Sequence, residues 1–213
     1  MKMITADQRT PEWFAARLGK LTGSRASDML ATIKTGEAAA RRNLRVQLVL
    51  ERLTGRSQDS VYVSPAMQNG IDREVDAAMH YEALTGRLLT TAGFLQHDTL
   101  AAGCSLDGYV GEFIGIIEIK SPMAATHLGY LRSGIIPLEY QQQIVHGLWI
   151  SGAQWCDWLS YQPDFPESLR TRLVRVPRDE SLIALYEAKA IAFLSEVDRE
   201  CAEVAGMAEK AVA

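Results

Sequence analysis

The feature that most constrains this chain is an apolar run with charges set into it. Residues 113–119 read Phe-Ile-Gly-Ile-Ile-Glu-Ile and continue into Lys120-Ser121-Pro122. Such a short run, rich in β-branched residues, predicts a buried strand. Side chains alternate along a strand, so Glu118 and Lys120 share one face and Ile117 and Ile119 the other. Upstream, Ser105-Leu106-Asp107-Gly108 places a carboxylate beside a glycine, as at a turn. A short loop over 108–112 can fold the chain back and set Asp107 beside Glu118. Two carboxylates and one amine then converge on one point.

Two neighbouring carboxylates repel when ionised, and a divalent cation between them keeps both charged. Oxygen ligands with room for water suit Mg²⁺ or Mn²⁺ better than Zn²⁺. A lysine beside that cation is pushed toward its neutral form and could take a proton from water. Acid, acid and lysine around a hard metal are equipment for phosphodiester hydrolysis. The plain alternative is a surface strand with scattered charges.

The 213 residues fit one domain of ordinary size. No signal-peptide pattern and no apolar run of the ~18 residues needed to span a membrane is present. Cys104, Cys156 and Cys201 are widely spaced and odd in number, without a zinc pattern. A reduced, cytoplasmic setting is therefore expected. The net charge of −4 is unevenly spread. Residues 1–60 hold 11 Lys/Arg against 6 Asp/Glu, and residues 61–213 hold 11 against 20. The basic end could meet phosphates while the acidic remainder faces solvent.

Thr10-Pro11-Glu12-Trp13 opens a helix: an N-cap, a proline at the first position and an acid at the positive end. Gly19 ends it. Ser24 caps a second short helix over Ala26 to Ala31. A helix N-terminus with a hydroxyl and a nearby Arg17 can hold an anion, but the residues alone favour ordinary capping. Glu37 to Leu53 is a strong helix with Arg41, Arg42 and Arg45 in its first half. Those cations oppose the helix dipole, so they have an anionic partner such as a DNA backbone, or form a solvated basic face. A loop over 64–70 leads to a helix from Ile71 to Leu84. There Glu74 lies on the side of Ala77 and Ala78, so it either has a partner or is an exposed acid.

Leu88 to Gln96, Ala101 to Ser105 and Phe113 to Lys120 predict an antiparallel meander, with helices before and after. The class is α/β with a central mixed β-sheet flanked by helices. Helices follow over Ala124 to Arg132 and Leu138 to Ser151, the second carrying Gln141, Gln142, Gln143 and a buried, satisfied His146. Trp155 to Tyr161 and Arg172 to Val176 are strands, and Asp179 to about Met207 is a long helix.

Several motifs now stand in order: Trp13-x-x-x-Arg17-Leu18-Gly19 with Thr22-x-Ser24, Gly70-x-x-x-Glu74, Cys104-Ser105-x-Asp107-Gly108, Glu118-x-Lys120-x-Pro122, and Tyr140-x-x-Gln143 with Trp149. Together they resemble the YqaJ-type viral recombinases, the bacteriophage lambda exonuclease family of the PD-(D/E)xK superfamily. The resemblance covers Trp13 to Tyr161. It implies a restriction-endonuclease-like core in a single nuclease domain. Residues 10–60 would form a helical DNA-end-binding part, 61–178 the catalytic core and 179–207 a C-terminal helix.

It also implies roles. Asp107, Glu118 and the backbone carbonyl of Ile119 would hold Mg²⁺. Lys120 would position or deprotonate the attacking water. Glu74 would hold metal-bound water or a second Mg²⁺, and Gln143 would orient Lys120 or the nucleophile. Arg17 and Ser24, with Thr22 and beside Trp13, would bind the 5′-phosphate of a DNA end, with Lys34 a further candidate. Met67 would be an apolar wedge between terminal base pairs. Leu106 stands where the family often has proline.

The implied activity is Mg²⁺-dependent 5′→3′ degradation of one strand of linear duplex DNA to mononucleotides, leaving 3′ single strands for annealing-type recombination. A homotrimeric ring and a single-strand annealing protein as partner belong to the same implication. The alternatives are an endonucleolytic or structure-specific member of the superfamily, and a non-catalytic DNA-end-binding module.

Overall fold

The computed structural model describes residues 1–58 and 65–212, and side chains 1–58 and 68–207. In chain order the elements are β1 (Lys2–Ile4), α1 (Pro11–Arg17), β2 (Leu21–Thr22), α2 (Ala26–Leu30), α3 (Ala39–Thr54) and α4 (Pro65–Thr85). Then come β3 (Phe94–Gln96), β4 (Ala102–Cys104), β5 (Gly108–Val110), β6 (Gly115–Lys120), α5 (Ala124–Ser133) and α6 (Leu138–Ser151). The chain ends with β7 (Trp155–Tyr161), β8 (Thr171–Pro177) and α7 (Glu180–Val212).

The expected α/β class holds, with one correction: the strands form two mixed sheets among the described residues, ordered β1-β3-β4-β2 and β5-β6-β7-β8. The expected meander divides between them. β3 and β4 pair antiparallel in the first sheet, whereas β6 belongs to the second. The divide falls at Ser105-Leu106-Asp107, so the carboxylate sits where the chain leaves one sheet for the other. The strand expected from Phe113 begins at Gly115 instead. Gly111 and Phe113 both have φ of +59°, which turns the chain tightly between β5 and β6. β6 pairs parallel with β7, and the connection through α5 and α6 is the long crossover that parallel neighbours require.

Thr10 caps α1 as expected, accepting from Trp13 N–H at 3.3 Å. Ser24 does not cap α2. It lies inside a 3₁₀ turn over Gly23–Arg25, and Arg25 occupies the cap position without a side-chain capping bond. α4 starts at Pro65 rather than Ile71, since proline suits a first helical position and the helix absorbs Gly70. The Met67 side chain lies outside the described residues.

The main core joins α2, α3, α6 and α7 to the strands through Leu21, Leu48, Leu95, Ile144, Leu148, Trp158 and Phe193. A smaller core beneath α4 joins Ala77 and Tyr81 to Ile117, Ile119 and Leu159. The odd-numbered face of β6 therefore packs under α4, and Glu118 and Lys120 project from the other, as alternation requires. Each fully buried large apolar side chain contributes about 1.5–3 kcal/mol.

Arg41, Arg45 and Arg52 of α3 have internal partners. Arg41 pairs with Glu37 at 2.7 Å and Glu196 at 2.8 Å, and Arg45 pairs with Glu37, Glu196 and Glu200. The anionic partner expected from DNA is thus supplied, for Arg41 and Arg45, by α7. Arg52 reaches Asp198 at 2.5 Å and also donates to Gly19 O at 2.8 Å. Buried Glu51 accepts the Gly19 N–H at 2.8 Å. A Cβ at Gly19 would meet Arg52 Cγ at 2.7 Å, and its φ is +66°, so only glycine fits there. α3 thereby grips both sides of the loop that follows Arg17. No helix of the described residues is long and apolar enough to cross a membrane.

Candidate active site

Asp107 leaves β4 at the sheet divide and meets β6 twelve residues later. Its Oδ2 accepts the Ile119 N–H at 2.6 Å, fixing the carboxylate at the C-terminal end of β6. Glu118 is 7% exposed, and its Oε1 lies 2.5 Å from Lys120 Nζ. Apart from that lysine, the buried Glu118 Oε1 has no hydrogen-bond partner among the described residues. The Lys120 ammonium also sits 4.8 Å from the centre of the Tyr140 ring, a cation–π contact from α6.

The electrostatics follow from this crowding. Burial first, and then the charge of Glu118, push the Asp107 carboxyl up to about 8. Burial works against the charge on Lys120, but Glu118 and Asp107 outweigh it and hold its pKa above the ordinary lysine range. Without a cation, the carboxylates thus favour the charged lysine. Two carboxylates, one under-bonded oxygen and the adjacent Ile119 carbonyl fit a hard divalent cation that keeps several waters. Ser121 Oγ, beside Lys120, is likewise buried without a partner. No group of three or more His, Cys, Asp or Glu that could hold a metal occurs among the described residues. A cation held here would take two side chains plus backbone, with the rest left to solvent or substrate.

Asp107 forms the wall between two cavities. One, of about 200 Å³, is lined by Trp13, Arg17, Ser24, Gln143 and Glu118 as well as Asp107. The other, of about 470 Å³, is lined by Arg9, Glu74, Lys120, Ser121 and Tyr140 with Asp107. Arg17 stacks on the Trp13 ring at 4.1 Å, and the Trp13 indole N–H donates to Ser105 Oγ at 2.7 Å. This ties α1 to the segment that delivers Asp107. Gln143 lies beside Gly23, where a Cβ would sit 3.6 Å from its Cγ. It therefore faces the Arg17 and Ser24 cavity rather than the one that holds Lys120.

Thr22 is buried, 3.5 Å from Ser24 through their hydroxyls. It lines a small space with Arg17, Lys20 and Arg25. Lys34 is exposed and lines neither cavity. Glu74 is half-buried on α4 and accepts from Arg9 Nη2 at 3.0 Å, so the acid on the packed side has its partner. Sequence reasoning passed over Arg9, because its reach to Glu74 spans 65 residues.

Other titratable groups are spent on structure. His146 bonds Tyr186 OH at 2.7 Å and Gly103 O at 2.9 Å, and burial lowers its pKa to about 4. It stays neutral and satisfied, as expected. Burial pushes the Cys104 and Cys156 thiols up, leaving them without nucleophilic character at neutral pH.

Known proteins resemble this arrangement. The YqaJ-like viral recombinase domain matches residues 12–154. An alkaline exonuclease from Laribacter hongkongensis, LHK-Exo, is 38% identical with a TM-score of 0.85, covering 94% of this chain and 99% of that one. The same exonuclease solved in complex with dAMP gives a TM-score of 0.87 at 38% identity, covering 94% of this chain and 99% of that one. A phage-related exonuclease from Haemophilus somnus 129PT shares the fold at 14% identity, with a TM-score of 0.70 over 87% of this chain and 96% of that one. No curated protein matches the chain.

Proposed function

This chain belongs to the YqaJ-like viral recombinase family, and from that premise we propose that it is a Mg²⁺-dependent 5′→3′ exonuclease of linear duplex DNA. It releases mononucleotides and leaves 3′ single strands for annealing-type recombination. The coarser activity, hydrolysis of DNA from an end in the service of recombination, follows from the family and from the 38% identity to an alkaline exonuclease. That the similar exonuclease was solved with dAMP supports a mononucleotide product.

The observation that carries the finer reading is Asp107 as a shared wall. On one side, Arg17 and Ser24 line a small cavity suited to a terminal phosphate. On the other, Lys120 and Glu74 line a larger one. An anion site next to a hydrolytic site sets a fixed distance from the 5′ end to the bond that breaks. Trp13 holds the Arg17 plane, and Thr22 supports Ser24 from beneath rather than meeting DNA itself.

Asp107, Glu118 and the Ile119 carbonyl would hold the divalent cation. Bound there, it would polarise the phosphate and activate water. Lys120 positions or deprotonates the attacking water, and in its charged form stabilises negative charge on the phosphate. Gln143 lies on the side of the terminal phosphate and orients the strand as it crosses the Asp107 wall. Glu74 lies across the larger cavity, where it can accept hydrogen bonds from water. Met67 is retained as the wedge that separates the strands.

The chain acts as a single nuclease domain in the cytoplasm of the host, as a homotrimeric ring with an annealing protein as partner. Exposed apolar side chains on α4, Val75 at 68% and Met79 at 62%, are the kind of surface a subunit contact covers.

The test is digestion of a linear duplex carrying a 5′-phosphate on one end only, with Mg²⁺, beside a circular duplex and a Lys120→Ala variant. Loss of the phosphorylated strand alone, an intact circle and an inert variant are expected. Nicking of the circle would assign an endonuclease instead.

A further inference from the structure

Arg9 occupies a backbone position that arginine rarely takes. A turn closes through Thr10 N–H donating to Asp7 O at 3.2 Å, and Arg9 is its third residue with φ of +71°. Glycine or asparagine is usual there, because a Cβ crowds the backbone at positive φ. Strain held by a non-glycine residue at the rim of a cavity is a pointer to function.

The side chain this strained residue presents is aimed into the larger cavity. Its guanidinium lines that space with Glu74, Asp107, Lys120 and Ser121, and Arg9 remains 46% exposed in its side chain. Among the described residues it makes one hydrogen bond, from Nη2 to Glu74 Oε2 at 3.0 Å. Its other N–H groups are unspent, and arginine presents them as a planar fork that matches phosphate. The buried Ser121 Oγ on the same cavity is a further donor without a hydrogen-bond partner among the described residues.

We propose that Arg9 is a substrate-binding residue: its guanidinium takes a backbone phosphate of the DNA strand that lies across the larger cavity, and in doing so leaves Glu74. The Arg9–Glu74 pair is then the arrangement of the empty cavity. Arrival of the strand exchanges one anion for another on the same fork and releases the Glu74 carboxylate to the water around the reacting phosphate. Binding and readiness of the site become one event. This rests on the nuclease reading above, and goes beyond it by assigning a strand contact on the side of Asp107 away from the terminal-phosphate cavity.

The experiment uses Arg9→Gly, because glycine relieves the backbone while removing the fork. Affinity for a 5′-phosphorylated duplex end is measured by fluorescence anisotropy across a salt series, with divalent cations chelated so that nothing is cut. Thermal unfolding is measured in parallel without DNA. Arg9→Gly should bind about tenfold more weakly, the value of one charge-assisted contact. Its log K against log salt should be shallower by about 0.9, one phosphate fewer. Its unfolding temperature should equal or exceed wild type. Glu74→Gln, which frees the guanidinium and removes a repelling carboxylate, should bind at least as tightly as wild type.

Wild-type affinity and salt slope in Arg9→Gly overturn the proposal. So does weakened binding that comes with a lowered unfolding temperature, or that Glu74→Gln reproduces, since Arg9 would then act through the fold or through Glu74. Failure of the wild-type protein to bind any DNA end defeats the nuclease reading itself, which is a separate result.

Discussion

Two buried carboxylate sites lie on neighbouring strands of one sheet and are built in opposite ways. Asp157 on β7 stands opposite Ile117 on β6 and is 1% exposed. Arg175 on β8 grips it at 2.8 and 2.7 Å, and Tyr81 of α4 donates its hydroxyl at 2.8 Å. Arg175 in turn stacks on Trp155 at 3.7 Å. One residue along β6, Glu118 has a buried oxygen with no hydrogen-bond partner apart from Lys120 among the described residues, and Asp107 beside it is pushed up to about 8. The first site is closed by its own side chains and ties α4 to the sheet. The second sets two carboxylates against one lysine, so its negative charge is only partly answered. A buried acid with a complete set of partners holds the fold, and one with an incomplete set awaits a ligand.

The largest effect that could break this comparison is on catalysis. Glu118→Gln or Asp107→Asn should lower DNA cleavage by roughly 10³-fold, about 4 kcal/mol of barrier. Thermal unfolding without metal should be unchanged at neutral pH in Asp107→Asn, where that carboxyl already holds its proton, and at most slightly lower in Glu118→Gln, which leaves Lys120 without its closest partner. A gel assay of strand loss beside a melting curve reads both. Asp157→Asn should do the reverse, lowering stability by about 2–3 kcal/mol in urea unfolding, with cleavage per folded molecule within about twofold. The value sits below that of a fully buried pair because Arg175, 41% exposed in its side chain, can still reach water.

A pH series sharpens the contrast further. The folded Asp107 pKa of about 8 lies above its ordinary value of 3.8, so the folded protein keeps a proton the unfolded chain releases. That contribution is fully present below about pH 4 and is lost as pH rises through 8. Metal-free protein should lose stability over this window, and Asp107→Asn should flatten the profile. Added Mg²⁺ should raise the unfolding midpoint more at pH 9 than at pH 6, because the proton no longer competes. The smallest effect concerns α3 and α7. Glu196→Gln should cost about 0.5–1 kcal/mol, less at high salt, as exposed ion pairs do. It should leave the salt dependence of DNA binding unchanged, because Arg41 and Arg45 keep Glu37 as a partner.

Local features of this contrast were legible in the sequence. Alternation alone places Glu118 and Lys120 together, and the Thr10-Pro11 signal gives α1 its start. Asp107 beside Gly108 reads as a turn; the chain bends at Asp107, but Gly108 to Val110 form β5 rather than the expected loop, and the reversal comes after them. What escaped was set by distant partners. Whether Glu74 is paired depends on Arg9, 65 residues away, and whether Arg41 is free depends on Glu196, 155 residues away. The division into two sheets is equally nonlocal: nothing in strands β4 and β5 themselves says that they pair with different neighbours. Ser24 misled because a hydroxyl before a helix usually caps it, and here a 3₁₀ turn intervenes.

The grip of α3 on Gly19 has a consequence on the timescale of hours. Gly19 lies in a loop, where backbone amides normally trade their hydrogens with solvent almost at once. Its N–H is held at 2.8 Å by the buried Glu51 carboxylate, and its C=O by Arg52, itself fastened to α7 through Asp198. That amide can be released only when α3 parts from the loop, so its deuterium uptake should match that of the core helices rather than that of its loop neighbours. The residues on either side of it, Arg17 and Thr22, would then be carried by a rigid segment, so the cavity beside Asp107 is already shaped when a DNA end arrives.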